Sequence, residues 1–305
     1  MQIYRYQDSS TTIGIGIGVG PSSFVPLRAI LEARRLPIPL EVQQANLHAL
    51  IADEALFSAF VVDPYRVATT SGLLEKLPHQ NIDDVKLLAP IPRPGKFICV
   101  GLNYKDHCEE QNVPPPSNPV IFAKFANAVC GPKDIVRRPA CTSKLDFEGE
   151  LGVVIGKRGK RIQRDEALSY VFGYMIINDV SARDIQKNDG QWLRAKSMDG
   201  FAPTGPCITT ADEIPDPQNL SLRTTVNGQV MQESHTSRMI FPVAELIEFI
   251  SQAITLEPGD IISTGTPSGV GVWRTPPVFL KAGDVVRIEI EKLGVLENEI
   301  ADDNN

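Results

Sequence analysis

Short apolar stretches dominate the larger part of the chain and predict strands more often than helices. From residue 97 onward they recur between turns rich in glycine and asparagine, which is typical of β-structure. They are FICVGL, VIFAKF, ELGVVIG, VFGYMIIN, LSLRTTVNG, GDIISTG and DVVRIEIEKLGVLENEI. The Asn227–Gly228 pair predicts a hairpin turn, and residues 242–254 predict a helix with Pro242 in its first turn. We therefore expect a mainly β fold with mixed sheets rather than a doubly wound parallel sheet.

The N-terminal part of the chain predicts a smaller α/β unit. Residues 11–20 alternate Ile or Val with Gly at the period of a strand, and their glycine spacing does not fit a dinucleotide-binding loop. PLRAILEARRL (residues 26–36) predicts one helix, and helical periodicity predicts a second over residues 41–60. Prolines and a glycine interrupt regular structure in residues 87–96. We therefore predict two domains, a small α/β domain over residues 1–90 and a larger β-roll domain over residues 91–305.

Composition and charge narrow the classes of partner. The 305 residues are 42% hydrophobic, which is enough for a sizeable core in one or two domains. The net charge of −7 argues against nucleic-acid binding, which needs a basic face. No apolar run reaches the ~18 residues of a membrane span, and the start of the chain has neither a secretory nor an import signal pattern. With five scattered cysteines and no C-x-x-C pair, the sequence predicts a cytoplasmic protein without nucleic-acid or membrane partners.

Three acidic residues are candidates for a metal site. Glu148 and Glu150 are two apart in DFEGEL and lead into a strand-like stretch, so both carboxylates point to one face. Asp179 follows the apolar run YMIIN, where a strand would end and a loop begin. Three carboxylates without a soft ligand suit a hard cation such as Mg²⁺, Mn²⁺ or Ca²⁺. The alternative is a solvated strand face with a turn aspartate, because exposed acids are common.

Further motifs accompany these carboxylates and carry a family resemblance. They are GLNYKDHCEE (residues 101–110), ARDIQ (182–186), AKSMDGFAPTGP (195–206) and STGTPSGVG (263–271). Together with DFEGEL, and in this order, they resemble the fumarylacetoacetate hydrolase (FAH) superfamily from about residue 94 to the end of the chain. HCEEQNVP, GVWRTPPVFLKAGD and KLGVLEN resemble its branch associated with oxaloacetate keto–enol tautomerase activity. The resemblance implies a barrel-like roll of mixed β-sheets, a homodimer and, in a eukaryote, a mitochondrial matrix location.

The acidic triad of Glu148, Glu150 and Asp179 predicts the class of substrate. A 2-oxo acid could chelate a triad-bound Mg²⁺ or Mn²⁺ through a carboxylate oxygen and its 2-oxo oxygen, and the cation would stabilise the enolate as a Lewis acid. Tautomerisation, decarboxylation and C–C hydrolysis share that enolate. The triad therefore predicts a small 2-oxo acid or dicarboxylate as substrate, but it does not choose among the three reactions.

Residues near the triad supply candidate catalytic and substrate-binding groups. The resemblance places Lys196 close to the metal-bound substrate, where it could carry a proton; the alternative is an ion pair with the triad. Arg183 and Gln186 are three apart on one predicted helical turn, where Arg183 could clamp a distal carboxylate and Gln186 could hold an oxo group. The alternative for Arg183 is an ion pair with Asp184 or Asp179 that braces the loop.

His107 and Glu110 form the candidate acid–base pair. They are three residues apart, and the resemblance places both on a short lid helix over the metal. Glu110 would orient the imidazole so that it deprotonates a water in hydrolysis or carries the proton in tautomerisation. The resemblance also implies a substrate contact for Thr266, in the glycine-rich turn, and a supporting place near the substrate for Lys124.

These residues leave three functional hypotheses. The first is a Mg²⁺-dependent isomerase that interconverts keto and enol forms of oxaloacetate or a similar 2-oxo diacid, with an isomerase of unsaturated hydroxy-diacids in aromatic catabolism as a variant. The second is an acylpyruvate hydrolase or oxaloacetate decarboxylase that uses the same site. Such enzymes of the superfamily often carry Arg at the position of Leu102, so Leu102 favours the isomerase. The third is a metal-binding protein without turnover.

Overall fold

The chain folds into a 12-stranded sheet, a five-stranded sheet and a two-stranded ladder, joined by short helices. The computed structural model describes residues 1–303. Its strands are β1 (Gln2–Gln7), β2 (Ile13–Gly20), β3 (Ser23–Pro26), β4 (Gln80–Asn81), β5 (Lys86–Leu88), β6 (Phe97–Gly101), β7 (Val120–Ala123), β8 (Val129–Cys130), β9 (Val136–Arg138), β10 (Leu145–Asp146), β11 (Gly149–Ile155), β12 (Val171–Asn178), β13 (Ser181–Ala182), β14 (Ala202–Thr210), β15 (Ser221–Val226), β16 (Gln229–His235), β17 (Ile261–Ser263), β18 (Val285–Ile290) and β19 (Gly294–Asp302). Its helices are α1 (Leu27–Ala33), α2 (Leu40–Gln43), α3 (Leu47–Ala52), α4 (Glu54–Phe57), α5 (Asp63–Thr70), α6 (Lys105–Glu110), α7 (Arg183–Asp189), α8 (Leu193–Lys196) and α9 (Val243–Ala253). The predicted fold class, strand-rich with mixed sheets, is confirmed.

The large sheet provides the framework of the site. Its strands follow the order β4-β3-β2-β1-β14-β12-β11-β17-β6-β7, with β5 beside β1 and β8 beside β14. Strand β11 runs antiparallel to β12 and β17, and β17 runs parallel to β6. Every residue of β11 is buried, as its near-continuous apolar sequence predicts for an interior strand. The start of β11 and the end of β12 therefore lie opposite each other inside the large sheet, with Gly149 paired to Asn178.

The five-stranded sheet has the order β16-β15-β18-β19-β9 and contacts β11, β12 and β14 of the large sheet. Its hairpin between β15 and β16 confirms the predicted turn. Asn227 has φ 51° and Gly228 has φ 78°. Both values lie in the left-handed region that a two-residue hairpin turn requires, which is why an Asn-Gly pair stands there.

The N-terminal strands extend the large sheet. Strand β1 pairs antiparallel with β14, with Ile3 opposite Ile208, and β2 and β3 follow outward. Helix α1 packs on β2 and β3, and its buried residues belong to the same apolar cluster as those of β11 and β12. Backbone hydrogen bonds and apolar packing therefore connect the chain on both sides of residue 90, and the division into two domains stays a prediction.

The prediction of one continuous helix over residues 41–60 is wrong. The structure divides this stretch into α2, α3 and α4, followed by a π-helical turn at Ser58–Val62. The side chains of Asn46 and Asp53 each accept a hydrogen bond from the backbone N–H three residues on. These caps start new helices inside a stretch whose apolar spacing alone reads as continuous.

Two long strands and one helix start also differ from the predicted pattern. Strand β1 was not predicted, and neither was β14, whose sequence APTGPCITT contains the prolines and glycine typical of a loop. Hydrogen bonds to β1 and β12 on either side hold β14 extended. Pro242 is the N-cap of α9 rather than a first-turn residue. Among residues 1–303, no helix is long and apolar enough to cross a membrane.

Candidate metal and substrate site

The register of β11 and β12 brings the acidic triad together. Gly149 lies opposite Asn178, so Glu148 and Asp179 are neighbours, and the Asp179 N–H donates to the Glu148 carbonyl at 2.9 Å. Glu150 is two residues beyond Glu148, so its carboxylate points the same way. One oxygen of each carboxylate lies within 4.8 Å of the others, and all three residues are buried. The predicted triad is therefore one cluster in the structure.

Lys124 lies behind the triad and leaves one carboxylate oxygen without a hydrogen bond. Its ammonium donates to the backbone carbonyls of Val180, Lys196 and Phe201. An ammonium has three N–H donors, so none remains for Asp179, although Lys124 Nζ lies 2.7 Å from Asp179 Oδ1. Within residues 1–303, this buried oxygen accepts no hydrogen bond. This oxygen therefore faces the Lys124 charge without a hydrogen bond, and it can still coordinate a cation.

The donor set of the triad fits a hard divalent cation, because all three groups are carboxylates. Glu150 accepts hydrogen bonds from the Ser263 hydroxyl at 2.5 Å and the Gly265 N–H at 2.9 Å. Burial, together with the nearby Asp179 and Glu148 charges, raises the pKa of the Glu150 carboxyl well above its usual range. A cation among the three groups would remove this penalty. The donors do not distinguish Mg²⁺ from Mn²⁺ or Ca²⁺.

Glu148 is fixed by two cationic side chains. Lys196 Nζ donates to its Oε2 and Arg183 Nη2 to its Oε1, both at 2.6 Å. Burial by itself would raise the pKa of Glu148, but the Lys196 and Arg183 charges outweigh burial and lower this pKa to about 2. Glu148 is therefore ionised at neutral pH, and both of its oxygens have a defined orientation.

Lys196 forms an ion pair with the triad, which was the predicted alternative to its role as a proton carrier. Its Nζ lies 2.6 Å from Glu148 and 3.1 Å from Asp179, and 5.2 Å from the centre of the Phe122 ring. Burial opposes the charge, yet Asp179 and Glu148 raise the pKa of the Lys196 ammonium. Lys196 also lines the cavity described below. An ion pair is therefore present, and proton transfer by this residue stays a prediction.

Arg183 pairs with a carboxylate that was not named from the sequence. Its Nε donates to Asp146 Oδ2 at 2.8 Å, and its Nη1 donates to Gln186 Oε1 at 3.1 Å. The predicted alternative, an ion pair with Asp184 or Asp179, is wrong: Arg183 pairs with Asp146 and with the first carboxylate of the triad. Three of the five guanidinium N–H groups are used in these bonds. Two remain for a substrate carboxylate, so the clamp stays a prediction.

Helix α6 carries the predicted acid–base pair. His107 Nδ1 lies 2.6 Å from Glu110 Oε1, and the Gly269 N–H donates to Glu110 Oε2 at 2.8 Å. Gly269 has φ 101°, and a Cβ on it would lie 2.1 Å from the Met231 carbonyl oxygen, so only glycine fits. On the other side of the ring, Gln111 Nε2 lies 2.8 Å from His107 Nε2. The imidazole is therefore held at both nitrogens.

Thr266 links the glycine-rich turn to the start of β11. Its hydroxyl donates to the Gly149 carbonyl at 3.0 Å and accepts from Gln232 Nε2 at 2.8 Å. Gln232 Oε1 in turn accepts from the Gly149 N–H at 2.9 Å. The turn therefore has a fixed distance from the triad.

A cavity of about 600 Å³ opens in front of the triad. The predicted site residues that line it are His107, Glu148, Glu150, Arg183, Gln186, Lys196 and Thr266. Most other wall residues are apolar, aromatic or basic, and include Leu102, Phe122, Lys144, Lys187, Trp192, Trp273 and Phe279; the amide of Gln111 and the carboxylate of Asp184 also line the cavity. Glu110, Lys124 and Asp179 do not belong to this lining; each contacts a residue that does. Direct contact between Lys124 and substrate stays a prediction.

Sequence reasoning missed three residues that support the site. Asp146 is 0% exposed, and extending the two-residue pattern back from Glu148 would have found it. Gln111 follows His107 by four residues, the spacing of neighbours on one helical face. Gln232 lies on β16, remote in sequence from the other site residues, and no local pattern marks it.

Comparison with known families decides the relationship of this chain. Residues 96–301 match the family described as fumarylacetoacetate (FAA) hydrolase C-terminal, a segment that contains the whole candidate site. The chain belongs to the fumarylacetoacetate hydrolase family. Oxaloacetate tautomerase FAHD2A, mitochondrial, of Bos taurus is 53% identical over 231 residues, 75% of this chain and 74% of that protein. The fumarylacetoacetate hydrolase domain-containing protein 2 homolog of Dictyostelium discoideum is 49% identical over 230 residues, 72% of this chain and 75% of that protein.

Solved structures of this family share the whole fold. The fumarylacetoacetate hydrolase EaFAH from psychrophilic Exiguobacterium antarcticum is 36% identical, with a TM-score of 0.83 over 99% of this chain and 100% of that one. The 2-hydroxyhepta-2,4-diene-1,7-dioate isomerase from Mycobacterium marinum is 35% identical, with a TM-score of 0.74 over 100% of both chains. The predicted FAH superfamily and its oxaloacetate tautomerase-like branch are confirmed, and the chain is an enzyme of this superfamily. The hypothesis of a metal-binding protein without turnover is therefore set aside.

Proposed function

We propose that this enzyme is a keto–enol isomerase of oxaloacetate, or of a similar small 2-oxo dicarboxylic acid, that depends on Mg²⁺ or Mn²⁺. The observation that carries the proposal is the buried acidic triad facing a cavity lined by Lys196 and Arg183. Support comes from bovine and human relatives, 53% and 50% identical, that are named oxaloacetate tautomerase.

Substrate binding in this proposal depends on positive charge around the cavity. When bound to the triad, the cation would polarise the 2-oxo group as a Lewis acid and stabilise the charge of the enolate. The two N–H groups that Arg183 does not use in protein contacts bind the distal carboxylate. Lys144 and Lys187 also line the cavity and add positive charge that favours a dianionic over a monoanionic substrate.

Conversion between the two forms moves one proton between C3 and the 2-oxo oxygen of the substrate. We assign this proton to Lys196 Nζ, which lines the cavity and lies 2.6 Å and 3.1 Å from two carboxylates of the triad. These carboxylates keep the ammonium charged between turnovers, so that it is ready to donate. The apolar wall of Phe122 and Trp192, whose rings lie 5.2 Å apart, restricts water near the reacting atoms.

The test is an ultraviolet assay of the purified enzyme with oxaloacetate and Mg²⁺, before and after EDTA. The assay separates fast relaxation of enol to keto form from slow release of pyruvate, and acetylpyruvate is assayed in parallel. We expect Mg²⁺ to accelerate the relaxation without matching pyruvate release. If pyruvate appears at a rate comparable to the relaxation, the enzyme is a decarboxylase or hydrolase instead.

A pair of variants links this activity to the triad. Glu148→Gln removes one carboxylate and its two ion pairs, so metal-dependent relaxation should be lost. Glu289→Gln alters a glutamate that is 58% exposed and should leave it unchanged. Metal-dependent activity that survives in Glu148→Gln would contradict the assigned site.

The second candidate is an acylpyruvate hydrolase or oxaloacetate decarboxylase, which the His107–Glu110 pair favours because hydrolysis needs a base for water. His107→Ala should then abolish C–C hydrolysis but only slow tautomerisation. Equal loss of both activities would show that the pair acts in the shared enolate step. Isomerisation of an unsaturated hydroxy-diacid is tested with such a diacid in the same assay, because the similar Mycobacterium marinum structure bears that name.

The family relationship supports two further proposals, one on the location of the enzyme in the cell and one on its assembly. The names of the bovine and human relatives include the word mitochondrial, which supports the matrix over the cytoplasm if the source is a eukaryote. Cell fractionation tests the location. We further propose a homodimer, and light scattering after size-exclusion chromatography measures its mass against the 33.4 kDa chain.

A further inference from the structure

Two hydrogen bonds fix the proton of the His107 imidazole. Gln111 Nε2 lies 2.8 Å from His107 Nε2, and an amide nitrogen can only donate, so His107 Nε2 accepts. On the other side, a carboxylate oxygen of Glu110 lies 2.6 Å from His107 Nδ1 and accepts the proton carried there. The ring is therefore neutral with its proton on Nδ1, and its single basic lone pair is occupied by Gln111.

The surroundings of this pair leave only the Nε2 side available for chemistry. Glu110 is anchored by the Gly269 N–H at 2.8 Å, so the Nδ1 side of the ring is tied to the protein. His107 and Gln111 both line the cavity, whereas Glu110 does not. Gln111 is the C-cap of α6, four residues after His107 and on the same face. A substrate or water in the cavity that needs the imidazole must therefore displace the Gln111 amide.

Hydrolysis needs a base for water, and the His107 Nε2 lone pair that would serve as this base is occupied by the Gln111 amide. In acetylpyruvate hydrolysis, the water oxygen bonds to the acetyl carbonyl carbon as a base removes one water proton. The bond from that carbon to the methylene carbon breaks, and its electron pair leaves with pyruvate as the enolate. One proton ends on the methylene carbon, which becomes the methyl group of pyruvate, and the other is released when acetic acid ionises. Keto–enol conversion involves no water.

We propose that Gln111 is the residue that restricts this site to tautomerisation, because its amide occupies the His107 Nε2 lone pair that hydrolysis needs as a base. This inference rests on the proposed function. Gln111 is a positioning residue, since it acts through His107 and not on the substrate. Removing its N–H donor should open the hydrolytic reaction while leaving the enolate step intact.

The first test measures the imidazole without substrate or activity. The chain has four histidines, so ¹⁵N-histidine labelling gives four ring spin systems, and His107→Gln assigns one of them. In the wild type we expect His107 to be protonated at Nδ1 only. Gln111→Met keeps the side-chain volume but removes the donor, and should shift the Nε2 signal. The exposed control Gln163→Met should change none of the four rings.

The second test measures the partition between reactions in the Mg²⁺-loaded enzyme. The ratio of pyruvate release from acetylpyruvate to enol relaxation of oxaloacetate should rise about tenfold or more in Gln111→Met, because general-base catalysis contributes ~10²–10⁴-fold once the base is free. In Gln111→Glu the new carboxylate accepts a hydrogen bond from an Nε2–H, so that the ring carries a proton on both nitrogens and has no free lone pair, and the ratio stays at the wild-type value. This contrast separates release of the lone pair from simple loosening of α6.

Several outcomes would overturn the inference. They are a wild-type His107 protonated at Nε2, an unchanged Nε2 signal in Gln111→Met, or an unchanged reaction ratio in that variant despite a shifted signal. Failure of the proposed function is distinct, because it would appear as wild-type enzyme without metal-dependent enol relaxation. The histidine measurement and the acetylpyruvate rates of the variants retain their meaning in that case.

Discussion

Replacing Asp146 by Asn tests how the protein holds Arg183. Asp146 is 0% exposed, and four donors surround its carboxylate. Oδ1 accepts from the N–H groups of Phe147 at 2.9 Å and Gly271 at 2.8 Å. Oδ2 accepts from the Val272 N–H at 3.1 Å and from Arg183 Nε at 2.8 Å. Both oxygens are therefore fully used.

An asparagine at this position cannot satisfy the same donors. It has one oxygen, so in either orientation its NH₂ group faces two N–H groups. Each buried donor left without an acceptor costs about 1–3 kcal/mol, and breaking a buried ion pair on one side costs about 3–5 kcal/mol. These estimates overlap, because one of the donors is Arg183. We therefore expect Asp146→Asn to lower the free energy of unfolding by about 3–5 kcal/mol and to raise the KM for a 2-oxo diacid.

Urea denaturation followed by tryptophan fluorescence measures the loss, since both tryptophans, Trp192 and Trp273, line the cavity. The matched control is Asp184→Asn. Asp184 accepts from the Thr142 hydroxyl at 2.6 Å and the Ser143 N–H at 3.0 Å, but it is only partly buried and forms no ion pair within residues 1–303. Water can replace a lost bond there, so we expect a loss of about 1 kcal/mol or less. A larger loss in the control than in Asp146→Asn would refute the reasoning.

Three further variants test other parts of the site. Glu150→Gln removes one carboxylate of the triad and should weaken Mg²⁺ or Mn²⁺ binding at least about tenfold in calorimetry; unchanged affinity would place the ion elsewhere. Lys124→Met removes a buried ammonium that bonds three carbonyls beside Asp179, and should lower the free energy of unfolding by about 3–5 kcal/mol in urea; a loss under 1 kcal/mol would contradict its supporting role. Gly269→Ala places a Cβ 2.1 Å from the Met231 carbonyl oxygen and should lower the melting temperature and slow turnover; a wild-type melting curve would show that the turn adapts.

The sequence determined much of the sheet framework, because local patterns report burial directly. The continuous apolar run of β12 and the Asn-Gly turn of the β15–β16 hairpin depend on residues adjacent in the chain. Strand β14 depends on remote partners instead: its prolines and glycine predict a loop, and pairing with β1 and β12 holds it extended. The prediction of one helix over residues 41–60 was wrong for the opposite reason. The apolar spacing is helical, but the side-chain caps at Asn46 and Asp53 divide the stretch into separate helices.

At the site, the sequence by itself determined which residue types are present, and the tertiary structure decided their partners. The acidic triad could be predicted because Glu148 and Glu150 are two residues apart at the start of a strand-like stretch and Asp179 follows the apolar run YMIIN. Its closure into one buried cluster required the register between β11 and β12. The pairing of Arg183 with Asp146 could not be predicted, because a charged side chain selects among several nearby carboxylates by distance and burial. Those quantities exist only once strands remote in sequence are packed together.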